Sequence, residues 1–102
     1  MNPIIEERLP EVRELCRRHH VTRLELFGSA ATAEFDPSRS DLDFLVEFSA
    51  EADAPWMGDY FELKKDLAAL FGRSVDLVMP GAIRNPYFQR SVDATRTVVY
   101  AQ

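Results

Sequence analysis

Asp41 and Asp43 open a stretch, Asp-Leu-Asp-Phe-Leu-Val-Glu-Phe, in which apolar and polar residues alternate. A strand of this pattern carries Asp41, Asp43, Leu45 and Glu47 on one face and Leu42, Phe44, Val46 and Phe48 on the other. Both carboxylates therefore point the same way, and their backbones lie only ~6.5 Å apart. If both are ionised about 5 Å apart, repulsion at an effective dielectric near 20 costs roughly 3 kcal/mol. A shared proton offsets that cost, and so does a hard divalent cation such as magnesium, which takes oxygen ligands and leaves both groups charged. Upstream, Gly28-Ser29 forms a small-residue turn predicted to lead into a short helix through Ala30, Ala31 and Ala33. The free backbone amides of such a turn offer a site for phosphate oxygens, so that phosphate and metal meet in one cleft. A third carboxylate, Asp76, interrupts the apolar run Val-Asp-Leu-Val. It must face solvent, a cation or a donor, because burial without a partner is costly.

The elements that position these groups follow from periodicity. Asn2-Pro3 is a cap and first-turn pair, and Ile5, Leu9, Val12 and Cys16 recur on one helical face, with Pro10 bending or restarting the helix. Arg13, Arg17 and Arg18 form a basic solvent side near the negative end of that helix. Adjacent helical residues do not face each other, so His19-His20 reads as a helix end rather than a metal site. Cys16 is a small buried hydrophobe. Val21 to Phe27 is the first strand, with Leu24 and Leu26 opposite Arg23 and Glu25. Gly28 ends it. A loop over 34–40 holds the turn signal Asp36-Pro37 and Arg39, read as a loop cation steadying Asp41 or Asp36, or as a phosphate contact. Between Glu51 and Gly58 the alternation stops, leaving Trp56 and Met57 either tucked under the next helix or facing a partner.

Asp59 can cap a helix whose apolar stripe is Tyr60, Leu63, Leu67, Leu70 and Phe71, with Gly72 placed to stop it. Ser74 to Met79 is a third strand, and Asn85-Pro86 starts a last helix with Tyr87, Phe88 and Val92 available for packing. Thr97 to Tyr100 adds a terminal strand or lies against the sheet. Strands and helices thus intersperse in an α/β (α+β) chain.

The whole chain, 102 residues with 46% apolar content, is sized for one domain spanning 1–102 with a single core. One cysteine excludes an internal disulfide, and no signal-peptide pattern opens the chain, so a cytoplasmic protein is expected. No apolar run reaches membrane-spanning length. A net charge of -5 argues against direct binding of nucleic-acid backbone, which rests on neutralising phosphates with Lys and Arg. A basic protein or a nucleotide carrying magnesium suits that balance.

Joined together, strand, Gly28-Ser29, spacer and Asp41-x-Asp43 resemble the signature of the DNA polymerase beta-type nucleotidyltransferase superfamily. More narrowly the chain resembles the minimal nucleotidyltransferase (MNT) domains, antitoxin halves of two-component pairs whose partner is a helical HEPN-type ribonuclease. The similarity extends over YFELKKDLAALFGRSVDLV, IRNPYFQRSV and VVY. Two departures stand out. Eleven residues, Ala30 to Ser40, separate Ser29 from Asp41, one more than is commonest, and Thr32-Ala33 occupies the place of the family's usual Arg-Gly. That arginine is therefore missing as a phosphate donor.

The resemblance implies a small mixed β-sheet flanked by helices, with Asp41, Asp43 and Asp76 as the catalytic and Mg2+-binding carboxylates, Asp76 on a strand beside the Asp-x-Asp strand. It implies that Gly28 and Ser29 hold nucleotide phosphates, that ATP is the donor, and that a tyrosine hydroxyl of a HEPN-type toxin accepts AMP within a hetero-oligomer. Two other readings compete: a non-catalytic module that neutralises its partner by binding, and transfer to a small molecule such as an aminoglycoside, for which the chain has little room. Strand alternation follows the Asp pair where an EF-hand requires Gly and a bidentate Glu, which argues against a calcium loop.

Overall fold

The computed structural model describes residues 2–32, 35, 36, 41–50 and 57–102, with Met57 by its backbone alone. The expectations for Ala33, for most of the 34–40 loop with Arg39, for 51–56 and for the Trp56 and Met57 side chains lie outside the described residues. Helices α1 (Pro3–Glu6) and α2 (Leu9–Arg18) precede strand β1 (Val21–Phe27). A 3-10 turn, Gly28–Ala31, then leads towards β2 (Leu42–Phe48). Helix α3 (Met57–Phe71), strand β3 (Val75–Val78), a 3-10 turn at Pro80–Ala82, helix α4 (Pro86–Thr95) and strand β4 (Thr97–Ala101) complete the chain.

The sheet runs β3-β2-β1-β4 and is mixed, β2 and β3 pairing in parallel while β1 is antiparallel to both β2 and β4. One face is apolar throughout: Leu24, Leu26, Leu42, Phe44 and Val46 are completely or almost completely buried, together with Val12 and Cys16 of α2 and Leu63 and Leu67 of α3. The other face is covered by α4, where Val92 packs on Phe27 and Leu45. Both faces of the central pair are thus closed along most of their length, leaving one end for polar groups.

Local chemistry explains the element ends. The Asn2 side chain accepts the Ile4 amide at 2.9 Å, and its Nδ2 donates to the Ala30 carbonyl at 3.1 Å, tying the first helix to the Gly28–Ala31 turn. Pro10 falls in the first turn of α2, where its missing amide costs nothing, so the helix restarts rather than bends. His20 takes a left-handed φ of 61° after the α2 cap. The His19 ring is buried between Asp59 (3.4 Å) and Asp66 (2.9 Å), and His20 meets Asp59 at 3.2 Å. Because α3 starts at Met57, Asp59 lies inside its first turn and clasps α2 to α3 instead of standing as the cap. Asn85 caps α4 as expected, accepting the Tyr87 amide at 2.8 Å. Tyr87, expected to pack, is 74% exposed at the start of α4, whereas Val92 is buried.

Besides His19 and Asp59, a further charged residue is buried among the described ones. Glu25, on the α4 side of β1, is 4% exposed. Its Oε2 accepts from Arg96 Nε at 3.0 Å and Nη2 at 2.6 Å, and its Oε1 from Arg23 Nη2 at 3.0 Å. Burial alone would raise the Glu25 pKa, but the hydrogen bonds and charges of Arg96 and Arg23 outweigh it and hold the carboxyl below its usual range. A depressed carboxylate pKa contributes stability above the ordinary value of 4.5 and loses it as pH falls towards the folded value. Glu25→Gln is therefore expected to cost about 2 kcal/mol at pH 7, lowering the melting temperature by roughly 10 °C in a domain of this size. The gap should narrow as the pH falls below 4.5; equal melting temperatures at pH 7 would refute the clamp.

Candidate active site

Across three strands, one row of residues reaches the open end of the sheet. Phe27 of β1 is registered with Asp43 of β2, and Asp43 with Asp76 of β3. Neighbouring strands are about 4.8 Å apart, so the Asp43 and Asp76 side chains rise side by side from adjacent backbones. Asp43 is half-buried and Asp76 exposed. Asp41 precedes the first β2 residue, Leu42, and is exposed at the strand's entry rather than inside it. The Asp43 carboxyl is pushed up to about 6 by burial first, then by the charges of Asp76 and Asp41 and by a hydrogen bond with Asp76. Burial disfavours the charged form, and the neighbouring carboxylates disfavour it further. Among the described residues no three His, Cys, Asp or Glu side chains stand at the mutual spacing that holds a metal ion. The donor set of Asp41, Asp43 and Asp76 is all carboxylate, which fits a hard oxygen-seeking cation and not a thiolate or imidazole metal.

Gly28 closes the row from the β1 side. Its φ is +74°, and a Cβ built there would lie 2.6 Å from Asp43 Oδ2. Only glycine lets the turn pass this close to the carboxylate. The expectation of free amides along the turn needs a correction, since the Gly28 N–H donates to Thr95 Oγ1 at 2.9 Å. Thr95 in turn donates to the carbonyl of Ser91 (3.2 Å) or Val92 (3.4 Å), so the last turn of α4 supports the Gly-Ser bend. The Ser29 hydroxyl has no hydrogen bond to another described residue. Thr32 closes the turn with its amide (3.0 Å) and its hydroxyl (3.1 Å), both on the Ser29 carbonyl. The short turn is 3-10 rather than a longer helix.

Residues 9–98 match the family described as nucleotidyltransferase domain. The chain belongs to that family. Two proteins of Methanocaldococcus jannaschii that bear the provisional name protein adenylyltransferase are 37% and 36% identical to this nucleotidyltransferase domain, each over 93 residues covering 83% of the chain and 91% of the relative. A solved structure provisionally described as a minimal nucleotidyltransferase superposes with a TM-score of 0.71 at 33% identity, over 90% of this chain and 89% of that one. A chain from the complex of a tri-AMPylated Shewanella oneidensis HEPN toxin with an MNT antitoxin superposes with a TM-score of 0.63 at 19% identity, over 96% of this chain and 73% of that one, a likeness of fold. The mixed four-stranded sheet with helices on both faces is the fold expected of a minimal nucleotidyltransferase.

Thr95 and the Glu25–Arg96 clamp were not readable from the sequence as neighbours of the turn, because they lie 67 and 71 residues from their partners. Two outcomes follow from the crowding. Asp43, whose folded pKa exceeds its ordinary 3.8, is most favourable to folding below that value and costs stability as pH rises through about 6. In metal-free buffer at pH 7.5 Asp43→Asn should be the more stable protein by about 1–2 kcal/mol after allowing for partial exposure, with the advantage gone at pH 4. Gly28→Ala should lose about 1–2 kcal/mol from its left-handed φ and displace the Asp43 carboxylate. Calorimetric magnesium titration of folded Gly28→Ala is expected to show weakened binding, and unchanged affinity would contradict the contact.

Proposed function

We propose that this nucleotidyltransferase domain moves AMP from ATP to a protein hydroxyl, a tyrosine of a HEPN-type toxin partner, releasing pyrophosphate. The observation that carries the reading is the registered pair Asp43 and Asp76 with Gly28 against Asp43. The protein-adenylyltransferase name of the archaeal relatives and the fold shared with the MNT antitoxin complexed with its HEPN toxin support it.

In the transfer, the acceptor oxygen attacks the α-phosphorus of ATP, a new O–P bond forms, and the bond from that phosphorus to the bridging oxygen of the β-phosphate breaks. Asp41, Asp43 and Asp76 are the residues that would hold Mg2+, which when bound neutralises phosphate charge and lowers the pKa of the attacking hydroxyl. Asp76, exposed on the edge strand, is the carboxylate placed to bind that ion or to take the acceptor's proton. Asp43 and Asp41, at the entry of β2, would orient the triphosphate through the ion they hold. Gly28 gives it a close backbone approach, and Ser29 contributes a hydroxyl and turn dipole to the β- and γ-phosphates. With Thr32-Ala33 in the place of the family's Arg-Gly and the Gly28 amide bonded to Thr95, phosphate binding has fewer donors, so turnover is expected to be slow.

That shortage also supports a second reading, an antitoxin that neutralises its partner by covering it. Incubation with ATP, magnesium and the protein encoded beside this chain, followed by intact-mass measurement of that partner, separates the two. A gain of AMP that disappears with Asp43→Asn or with chelation of magnesium is expected. Tight binding with no mass change, insensitive to Asp41→Asn and Asp43→Asn, would replace transfer with simple neutralisation.

A further inference from the structure

The row of strands gives the site two sides. Gly28 and Asp43 lie towards β1, whereas Asp76 stands on β3, at the outer edge of the sheet. Asp76 is itself one wall of a groove of about 530 Å³ along that edge, bounded also by Val75 and Ser74 and by Phe61, Lys64, Lys65 and Ala68 of α3. The four α3 residues are spaced i, i+3, i+4 and i+7, so they form one helical face. It is not the face that builds the core, which is Leu63 and Leu67.

Charges on α3 are sorted by face. Asp59 and Asp66 turn towards His19 and His20 at the end of α2. Lys64 and Lys65 remain on the groove side, and among the described residues neither has a hydrogen-bond or ion-pair partner. Phe61 stands beside them 57% exposed, its ring edge-on to Tyr60 at 5.1 Å. In a chain of net charge -5, two uncommitted lysines and an uncovered aromatic ring next to a site carboxylate form a local surface of opposite sign.

We propose that this groove docks an acidic, tyrosine-bearing segment of the acceptor protein, and so selects which hydroxyl reaches Asp76. The inference rests on the AMP-transfer reading and names the chemistry of its acceptor. Complementary charge recruits and orients such a segment, while Phe61 provides area for the aromatic ring that carries the hydroxyl. Two lysines suffice for a short acidic segment. An RNA backbone requires a longer row of cations, which this groove lacks.

The test follows amide resonances of the intact, isotope-labelled protein during titration with three probes: the peptide Glu-Glu-Tyr-Glu-Glu, its Gln-Gln-Tyr-Gln-Gln counterpart and a single-stranded RNA oligonucleotide. Shifts at Phe61, Lys64, Lys65, Ala68 and Ser74 are expected with the acidic peptide alone. Affinity should fall about tenfold or more in Lys64→Glu/Lys65→Glu, and that variant should instead take up Lys-Lys-Tyr-Lys-Lys. Equal shifts with the glutamine peptide, shifts elsewhere, shifts with RNA alone or no shifts at all would overturn the proposal. Binding is read without turnover, so a groove that binds while no AMP is transferred leaves docking intact and refutes the reaction. Transfer to an acidic tyrosine peptide that is indifferent to Lys64 and Lys65 does the reverse.

Discussion

Two like charges on adjacent parallel strands, Asp43 and Asp76, set the terms for the rest of the molecule. Strand pairing holds their backbones about 4.8 Å apart, and neither can retreat without breaking register with its neighbours. The repulsion is visible in the pKa of Asp43, lifted to about 6 by burial and by the charges of Asp76 and Asp41. A fold that keeps such a pair at the mouth of its sheet stores unfavourable electrostatics that a bound cation would relieve, and the nucleotidyl-transfer proposal rests on that pair.

The stability that tolerates this cost comes from elsewhere in the same sheet. One face is a continuous apolar layer against α2 and α3, and the other is locked by α4 through Val92 and the Glu25–Arg96 pair. The same helix reaches the site, since Thr95, next to Arg96, takes the Gly28 amide. Support of the sheet and support of the Gly28–Ala31 turn therefore share two consecutive positions at the end of α4, Thr95 and Arg96. The acidic row has Gly28 on one side and the α3 groove on the other because β2 is central and β3 is terminal.

Local pattern made the elements readable. Alternation marked β2, the Leu63 and Leu67 spacing marked α3, Pro10 marked the restart of α2, and Asn85-Pro86 marked α4. The carboxylates Asp41, Asp43 and Asp76 could be singled out because polar residues in apolar strands are costly and so informative. Partners distant in the chain were not readable. Glu25 looked like the polar side of an amphipathic strand until α4 covered that face, and Thr95 carried no local signal of its bond to Gly28. His19 and His20 read correctly as a helix end, but their grip on Asp59 and Asp66 depends on how α2 packs on α3. Tyr87 falls on the solvent side of the first turn of α4, where it is 74% exposed, while the next residue, Phe88, meets Phe27 of β1 edge-on at 6.0 Å.

Strand register forces Asp43 and Asp76 into neighbouring positions whose repulsion a divalent cation would remove. Carboxyl carbon resonances of labelled aspartates, followed from pH 3 to 9 with and without magnesium, test it most directly. Asp43 is expected to titrate near 6 in metal-free buffer and to fall well below that value when magnesium is added. An Asp43 that titrates near its ordinary 3.8 and ignores magnesium would contradict the account.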